Sequence, residues 1–416
     1  MSSRTGALLA PIHRLAYCAA PVNRPLSAPV RPDPLSIPLC VDLDGTLIRS
    51  DLLWEGLIRL WRQSPLYLAT TLKWWFQGRA RLKAEVARRI LIPISTLPWN
   101  EEFLDHVRRE CAKGRSLYLV TASDQHAARA VAVHLGLFRD VLASDGCTNL
   151  RSHTKARTLA TRFGMQGFDY AGNSSADLPV WQMARAILVV HAPRRLIRKV
   201  LRWGKPVSIF DCPPRPFTAF LESVRPCAWM RNLWVFLPLL FHPVSVSDPS
   251  VWQNTLIAFL AFTLCASGAY LWDDLMDVDA DRAQPIKTRP PVATGKLPIA
   301  WATTAAPLCI ISGMALASAV SPKTILCLVA YAGLAISGNW CPTRPATFRL
   351  VSHLLCLALR VLAGRAAAGL PWVTPGIGLE LLPLLLWTLF SHLRSEPDSA
   401  SSHALPPAAD SHKPKR

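Results

Sequence analysis

Acid is scarce in this 416-residue chain: 27 Asp+Glu face 46 Lys+Arg, a formal net charge of +19, and charged residues make up only 18% of the sequence. With 51% hydrophobic residues, so little charge excludes a disordered or fibrous chain. No acid precedes Asp33, and residues 1–36 carry Arg4, Arg14, Arg24 and Arg31 among Pro and Ser without the continuous apolar core of a secretory signal. That segment reads as a disordered basic extension. Eleven Cys show no paired ligand spacing, and Cys265, Cys309, Cys327 and Cys356 lie inside apolar runs, so neither a disulfide framework nor a zinc site is expected. Helix-turn-helix, zinc-finger and aromatic stacking patterns are missing too, and nucleic acid is not an expected partner. Instead, Arg194, Arg195, Arg198, Lys199, Arg202 and Lys205 precede hydrophobic segments, where attraction to anionic membrane lipid accounts for them.

What is present falls into two halves. From 37 to 192, short apolar runs (Ile37 to Val41, Leu117 to Val120, Ile187 to Val190) alternate with charged helical stretches such as Lys83 to Arg89 and Ala127 to Leu135. This predicts a Rossmann-like α/β domain with a parallel sheet. Residues from about 51 to 110 are too long for a simple connection and read as a helical cap, with Trp74, Trp75 and Phe76 filling the cap's own core or resting on a membrane. A basic linker is expected over 193–224. From 225 to 393 the chain reads as an all-α transmembrane bundle, and 394–416 as a disordered tail. Uncharged stretches at Val251 to Trp272, Leu297 to Val320 and Thr324 to Thr343 approach the roughly 20 residues that span hydrocarbon. Weaker candidates at 232–246, 350–370 and 381–391 bring the expected total to five or six.

At the end of the first strand stand two carboxylates, in Asp42-Leu43-Asp44-Gly45-Thr46, where a parallel sheet opens its ligand crevice. Downstream follow Thr121 at a second strand end, Lys155 before a helix, and Gly172-Asn173-Ser174-Ser175-Ala176-Asp177. In this order the four pieces resemble the haloacid dehalogenase-like phosphatase superfamily. The resemblance implies that Asp42 attacks phosphorus, Asp44 protonates the leaving oxygen, and Thr121 and Lys155 hold the phosphoryl oxygens. It implies Mg²⁺ on Asp42, the Asp44 carbonyl, Asn173 and Asp177, with Asn173 standing where the superfamily commonly has Asp.

Beyond Trp272 comes a second acidic motif, Asp273-Asp274-Leu275-Met276-Asp277-Val278-Asp279-Ala280-Asp281-Arg282. On a continuing helix Asp274, Asp277 and Asp281 fall at i, i+3 and i+7, share a face, and repel one another unless a cation intervenes. Mg²⁺ bridging a diphosphate meets that need, with Arg282, Lys287 and Arg289 on the outer phosphate oxygens. The motif resembles the first aspartate-rich motif of the UbiA-type membrane prenyltransferases, with Asp273 in place of the leading Asn. Arg225-Pro226 and Trp229-Met230-Arg231-Asn232 resemble the start of that family's first helix, so Arg231 and Asn232 join the expected diphosphate-binding set. Relatives with a fused haloacid dehalogenase-like domain include decaprenyl-phosphate phosphoribosyltransferases. The resemblance therefore implies a polyprenyl or phosphoribosyl diphosphate substrate, a lipid or aromatic acceptor, and a multi-pass protein of the bacterial inner membrane with its N-terminal domain in the cytoplasm. A membrane-tethered phosphatase, or an inactive member, is the alternative. Of the family's second polar motif only Arg360-Val361-Leu362-Ala363-Gly364 is recognisable; the expected Asp falls on Arg349, the Lys near Thr343 and the Tyr near Gly338. Because the family fold has more helices than this chain supplies, the membrane domain is expected to be incomplete.

Overall fold

A computed structural model of the chain describes residues 37–145, 148–210, 216–242, 247–285, 288–338, 346–372 and 377–395. Six strands, β1 (Leu39–Val41), β2 (Leu117–Asp124), β3 (Asp140–Ser144), β4 (Asp169–Gly172), β5 (Ile187–Val190) and β6 (Val207–Phe210), form one sheet in the order β3-β2-β1-β4-β5-β6. Every pairing is parallel. Leu39 and Val41 pack on one face and Cys40 on the other, all three fully buried, as expected of a strand covered on both sides. One cover is α4 (Glu101–Ala112) with α5 (Gln125–Leu135); the other is α6 (His153–Phe163), α7 (Leu178–Met183) and α8 (Arg194–Leu201). The order reverses between β1 and β4, which leaves a crevice beyond the carboxyl end of β1.

Two expected boundaries move. The sheet does not stop at 192: α8 buries Leu196, Ile197 and Val200 in the sheet's core, and β6 then pairs with β5. Most of the stretch read as a basic linker is thus one more crossover, whose arginines occupy the outer side of an amphipathic helix. The cap is shorter than 51–110. It comprises α1 (Leu52–Gln63), α2 (Leu66–Phe76) and α3 (Arg79–Arg89), whereas α4 sends Phe103, Leu104 and Val107 into the sheet's own core. Within the aromatic trio only Trp74 packs inward, under the Arg89 guanidinium; Trp75 and Phe76 are exposed.

After α9 (Pro216–Ser223), 3-10 turns over Pro226–Phe236 lead through α10 (Leu237–Phe241) to α11 (Pro249–Met276), α12 (Val278–Ala283), α13 (Ile299–Ser318), α14 (Pro322–Ser337), α15 (Ala346–Ala367) and α16 (Ile377–Ser395). Among the described residues, three helical segments are long and apolar enough to cross a membrane: Pro249–Met276, Ile299–Ser318 and Leu350–Ala367. The first two match the sequence reading. The expected span Thr324 to Thr343 does not: α14 has 16 residues and ends at Ser337 ahead of Pro342, and Thr343 lies outside the described residues. The weaker candidate at 350–370 takes its place. Leu256, Leu260, Leu308, Ile311, Leu326, Val329 and Leu355 all point outward, the pattern of helices whose outer face meets lipid.

Cap and bundle share a core. Leu57, Ile58, Leu60 and Trp61 of α1 pack with Leu271, Leu275 and Met276 of α11 and with Val292, Leu297 and Ile299. Trp61 also stacks on Trp272, centroids 6.4 Å apart. Inside the bundle, α15 crosses the 3-10 segment at Gly364, where a Cβ would stand 1.9 Å from the Val235 carbonyl oxygen. Gly364→Ala is therefore expected to force the two segments apart and to lower the detergent-solution melting temperature of the full chain, at a cost of about 1–3 kcal/mol from overpacking. Unchanged melting of that variant would contradict the crossing.

Candidate active sites

The first site forms where β1 ends. The Asp42 amide donates to the Ala171 carbonyl, extending the β1–β4 ladder by one step and directing the Asp42 side chain into the crevice. Lys155, near the start of α6 and 3% exposed, donates from Nζ to Asp42 Oδ1 at 2.8 Å and to the Tyr170 hydroxyl at 2.9 Å. Asp44 Oδ1 accepts from the Leu52 amide at 2.9 Å, which fixes the first turn of the cap helix α1, while the Ser123 hydroxyl donates to Asp44 Oδ2. Thr121 is fully buried, and its Oγ1 accepts from the Ser123 amide, so it orients the β2 loop that holds Asp44. Burial pushes Asp42 up to about 7 despite the opposing pull of Lys155. Asp44 is raised to about 6 by burial and by neighbouring Asp51, against the hydrogen bonds from Ser123 and Leu52. Two neighbouring carboxylates, one gripped by a buried ammonium and one held by a hydroxyl and a backbone amide, give the site the groups that a nucleophile and a general acid require.

The expected ligand Asp177 has another task. Its Oδ1 accepts from the Tyr170 hydroxyl, and its Oδ2 from the Asn173 and Ser174 amides and the Ser174 hydroxyl. A loop that turns back into 3-10 geometry at Ser175–Asp177 exposes those donors, and the carboxylate satisfies them. Asn173 instead faces Gly45, where a Cβ would stand 2.0 Å from its Nδ2. Asp42, Asp44 and Asn173 offer the kind of oxygen donors that a hard divalent cation takes. Lys83 of α3 was not singled out from the sequence. It reaches from the cap to donate to the Ala122 carbonyl at 2.6 Å, and burial lowers its pKa although Asp44 and Asp51 pull it upward. No sequence pattern marks it, because its partners come from another domain layer.

The second site lies at the end of α11. Asp274 is 2% exposed; Arg225 donates to its Oδ1 at 2.5 Å, and its Oδ2 is buried with no hydrogen-bond partner. A buried carboxylate oxygen left unsatisfied is costly, and a divalent cation is a fitting partner for it. The helix breaks at Asp277 and resumes at Val278, yet the Asp277 amide still bonds the Asp273 carbonyl and the Asp281 amide the Asp277 carbonyl, so the three acids keep a helix-like stagger. Burial and then Asp277 raise the pKa of Asp281, the repulsion expected of neighbours on one face. Among the described residues, no group of three His, Cys, Asp or Glu side chains stands arranged to hold a metal.

Of the expected phosphate grips, Arg282 is corrected outright. It is 6% exposed, forks onto Glu55 of α1 through Nη1 at 3.0 Å and Nη2 at 2.8 Å, and donates from Nε to the Ala293 carbonyl. With these donors committed to the cap interface, Arg282 is structural. Burial would raise Glu55, but Arg282 and Arg59 hold it below the ordinary carboxylate value. Arg289 is half-buried and donates from Nε to the Gln284 carbonyl, and Lys287 lies outside the described residues. Arg231 donates to the Tyr270 hydroxyl at 3.0 Å. Asn232 is fully buried, donating to Thr263 and accepting from Arg360 Nε at 2.9 Å, so it braces the 3-10 segment against α11 and α15 rather than facing open space. Arg225 was seen in the sequence only as part of a motif, and the structure makes it the cation nearest Asp274.

Residues 233–398 match the model of the UbiA prenyltransferase family. The chain is 33% identical over 341 residues to the uncharacterised protein y4nM of Sinorhizobium fredii, covering 81% of this chain and 66% of that one. It is 29% identical over 163 residues to the decaprenyl-phosphate phosphoribosyltransferase of Mycobacterium tuberculosis, covering 38% of this chain and 54% of that one. The chain thus spans 66% of the first relative's length and about half of the second's. A solved haloacid dehalogenase family hydrolase from Salmonella enterica serovar Typhi aligns over 41% of this chain and 68% of its own, at 15% identity and a TM-score of 0.30.

Since Asp42 holds its proton to about 7 when folded and near 3.8 otherwise, the folded state binds the extra proton, and its stability falls as pH rises between those values. In metal-free detergent solution the melting temperature of the full chain is expected to drop from about pH 5 to about pH 7.5. Asp42→Asn should flatten that slope; an equally steep slope in the variant would contradict the assignment.

Proposed function

We propose, from the premise that residues 233–398 are a UbiA prenyltransferase family domain, that the chain is a Mg²⁺-dependent membrane transferase with a fused phosphatase domain. It moves a prenyl or phosphoribosyl group from a diphosphate donor to a lipid or aromatic acceptor. The observation that carries this reading is the buried, half-satisfied Asp274 carboxylate beside Arg225 at the mouth of an apolar bundle. The stretch shared with a decaprenyl-phosphate phosphoribosyltransferase favours a phosphoribosyl donor and a polyprenyl phosphate acceptor.

Asp274, Asp277 and Asp281 would hold the cation, which when bound neutralises charge on the departing diphosphate. Arg225, half-exposed and close to Asp274, can exchange its carboxylate partner for a phosphate oxygen. Arg231, against Tyr270, supplies a second positive charge on the same side. Tyr270 fixes both guanidinium groups, with Arg225 5.4 Å and Arg231 5.8 Å from its ring centroid, so the positive field is positioned before substrate arrives. Apolar helices on the lipid side keep water from the donor carbon. Basic residues around the first helix and after Asp281 support a bacterial inner-membrane protein whose α/β domain lies on the cytoplasmic side.

Purified chain given labelled polyprenyl phosphate and phosphoribosyl diphosphate, and then aromatic acceptors with prenyl diphosphates, should transfer label with one pair. Asp274→Asn is expected to reduce transfer roughly 10²–10³-fold, the size of losing one preorganised electrostatic contact. Absence of transfer with every pair, in folded protein, would defeat the proposal. The second reading, a membrane-tethered phosphatase, is favoured by the Lys155–Asp42 pair. It predicts that phosphate release from small phosphoesters survives Asp274→Ala and is abolished by Asp42→Ala.

A further inference from the structure

A cavity of about 1020 Å³ lies between the sheet domain and the bundle. Its floor borders the phosphatase-like site through Asp44, Gly45, Asn173 and Ser174. Its far wall is the start of α13, where Ile299, Ala300 and the exposed Trp301 open a helix long and apolar enough to cross a membrane. The two domains touch beside it: the loop carrying Gly295 packs on the backbone of Arg49. Five cationic residues line the space, Arg49, Arg194, Arg195, Lys199 and Lys296, against the acids Asp44 and Asp51. Ser50, 7% exposed, also lines the cavity, and its hydroxyl is buried without a hydrogen-bond partner. Buried hydroxyls are ordinarily satisfied, and here the missing partner fits a ligand on the cavity side.

The position of Asp44 gives the cavity its direction. In phosphoryl transfer through an aspartate, the proton donor stands on the leaving-group side of the phosphorus, and Asp44, whose carboxylate bonds the Leu52 amide and the Ser123 hydroxyl, borders this cavity, so the alcohol part of the substrate is assigned to it. That space combines these cations with the apolar start of α13. A small soluble phosphoester would leave most of it unfilled and would not use the cations beyond the scissile phosphate.

We infer that the phosphatase-like site takes a lipid-anchored phosphate monoester carrying a second anionic group. The terminal phosphate reaches Asp42, the second anion meets the Arg194, Arg195, Lys199 and Lys296 cluster, and the tail leaves along α13 into the bilayer. Asp42 attacks phosphorus, the bond from phosphorus to the alcohol oxygen breaks, and Asp44 protonates that oxygen. Water then attacks phosphorus, gives its proton to Asp44, and releases inorganic phosphate from Asp42, while the lipid keeps a free hydroxyl. The inference rests on the phosphatase reading given above. It also places the site after any reaction that builds a phosphorylated head group on a phosphate-linked lipid, a description that a phosphoribosyl-lipid product of the neighbouring domain would meet.

The test uses the full chain with phosphatidylglycerol phosphate in phosphatidylcholine vesicles, the deacylated head group of that lipid, and p-nitrophenyl phosphate. The expected result is kcat/KM for the lipid at least tenfold above that for the deacylated head group, with Asp42→Ala abolishing both. A Lys199→Glu, Lys296→Glu double variant should lower the ratio of lipid to p-nitrophenyl phosphate kcat/KM at least tenfold, and Trp301→Ala should lower the ratio of lipid to deacylated head group. Equal use of lipid and deacylated head group would overturn the inference and leave the phosphatase reading standing. No hydrolysis of any of the three would overturn both.

Discussion

A cluster of charges sealed between the cap and the bundle governs how the rest of the molecule is arranged. Glu55 is fully buried and Arg282 nearly so, and Arg59 joins them by donating to Glu55 and, at 2.5 Å, to Asp279. Taking such charges out of water is expensive, and the cost is offset only when all partners meet with good geometry. A shifted docking would leave Glu55 or Arg282 facing the apolar surface around them, so the charges specify one docked arrangement. The surrounding leucines and stacked tryptophans supply area, but a greasy contact alone would tolerate sliding.

That arrangement ties the two candidate sites to one helix. α1 begins where the Leu52 amide meets Asp44 and, one turn later, presents Glu55 to Arg282 beside the aspartate-rich segment. Each site keeps its own chemistry. One holds a carboxylate against a buried ammonium; the other keeps a carboxylate oxygen unsatisfied at a helix end. Neither needs the other to react, yet neither can be displaced without straining the helix between them.

The legible parts of the sequence were those whose cause is local. β1, the first half of β2 and β5 are unbroken apolar runs, and Asp42, Asp44 and Lys155 converge as their order in the chain suggested, because a parallel sheet brings successive strand ends to one edge. β3 and β6 escaped notice: both lie at sheet edges, where half-exposed residues such as Ser208 break the apolar signal. Arg282 was misread since its partner stands 227 residues away and charge pairing leaves no periodic trace. Asp177 organises its loop through bonds from Tyr170, Asn173 and Ser174 and stands 3.9 Å from Lys155, contacts that a linear string does not reveal. Asn232 was placed near the right region, though its neighbours Thr263 and Arg360 give it a bracing role that spacing alone does not reveal.

A helix held by two partners within its first turn resists swinging. Since α1 is clamped at its first turn to the sheet domain by its first amide and to the bundle by its buried acid, lifting the cap would break both contacts, and under the proposed phosphatase reading the cycle would proceed without a wide opening. Reactants must then come and go sideways, at the level of the bilayer surface, and turnover would be paced by diffusion in two dimensions instead of three.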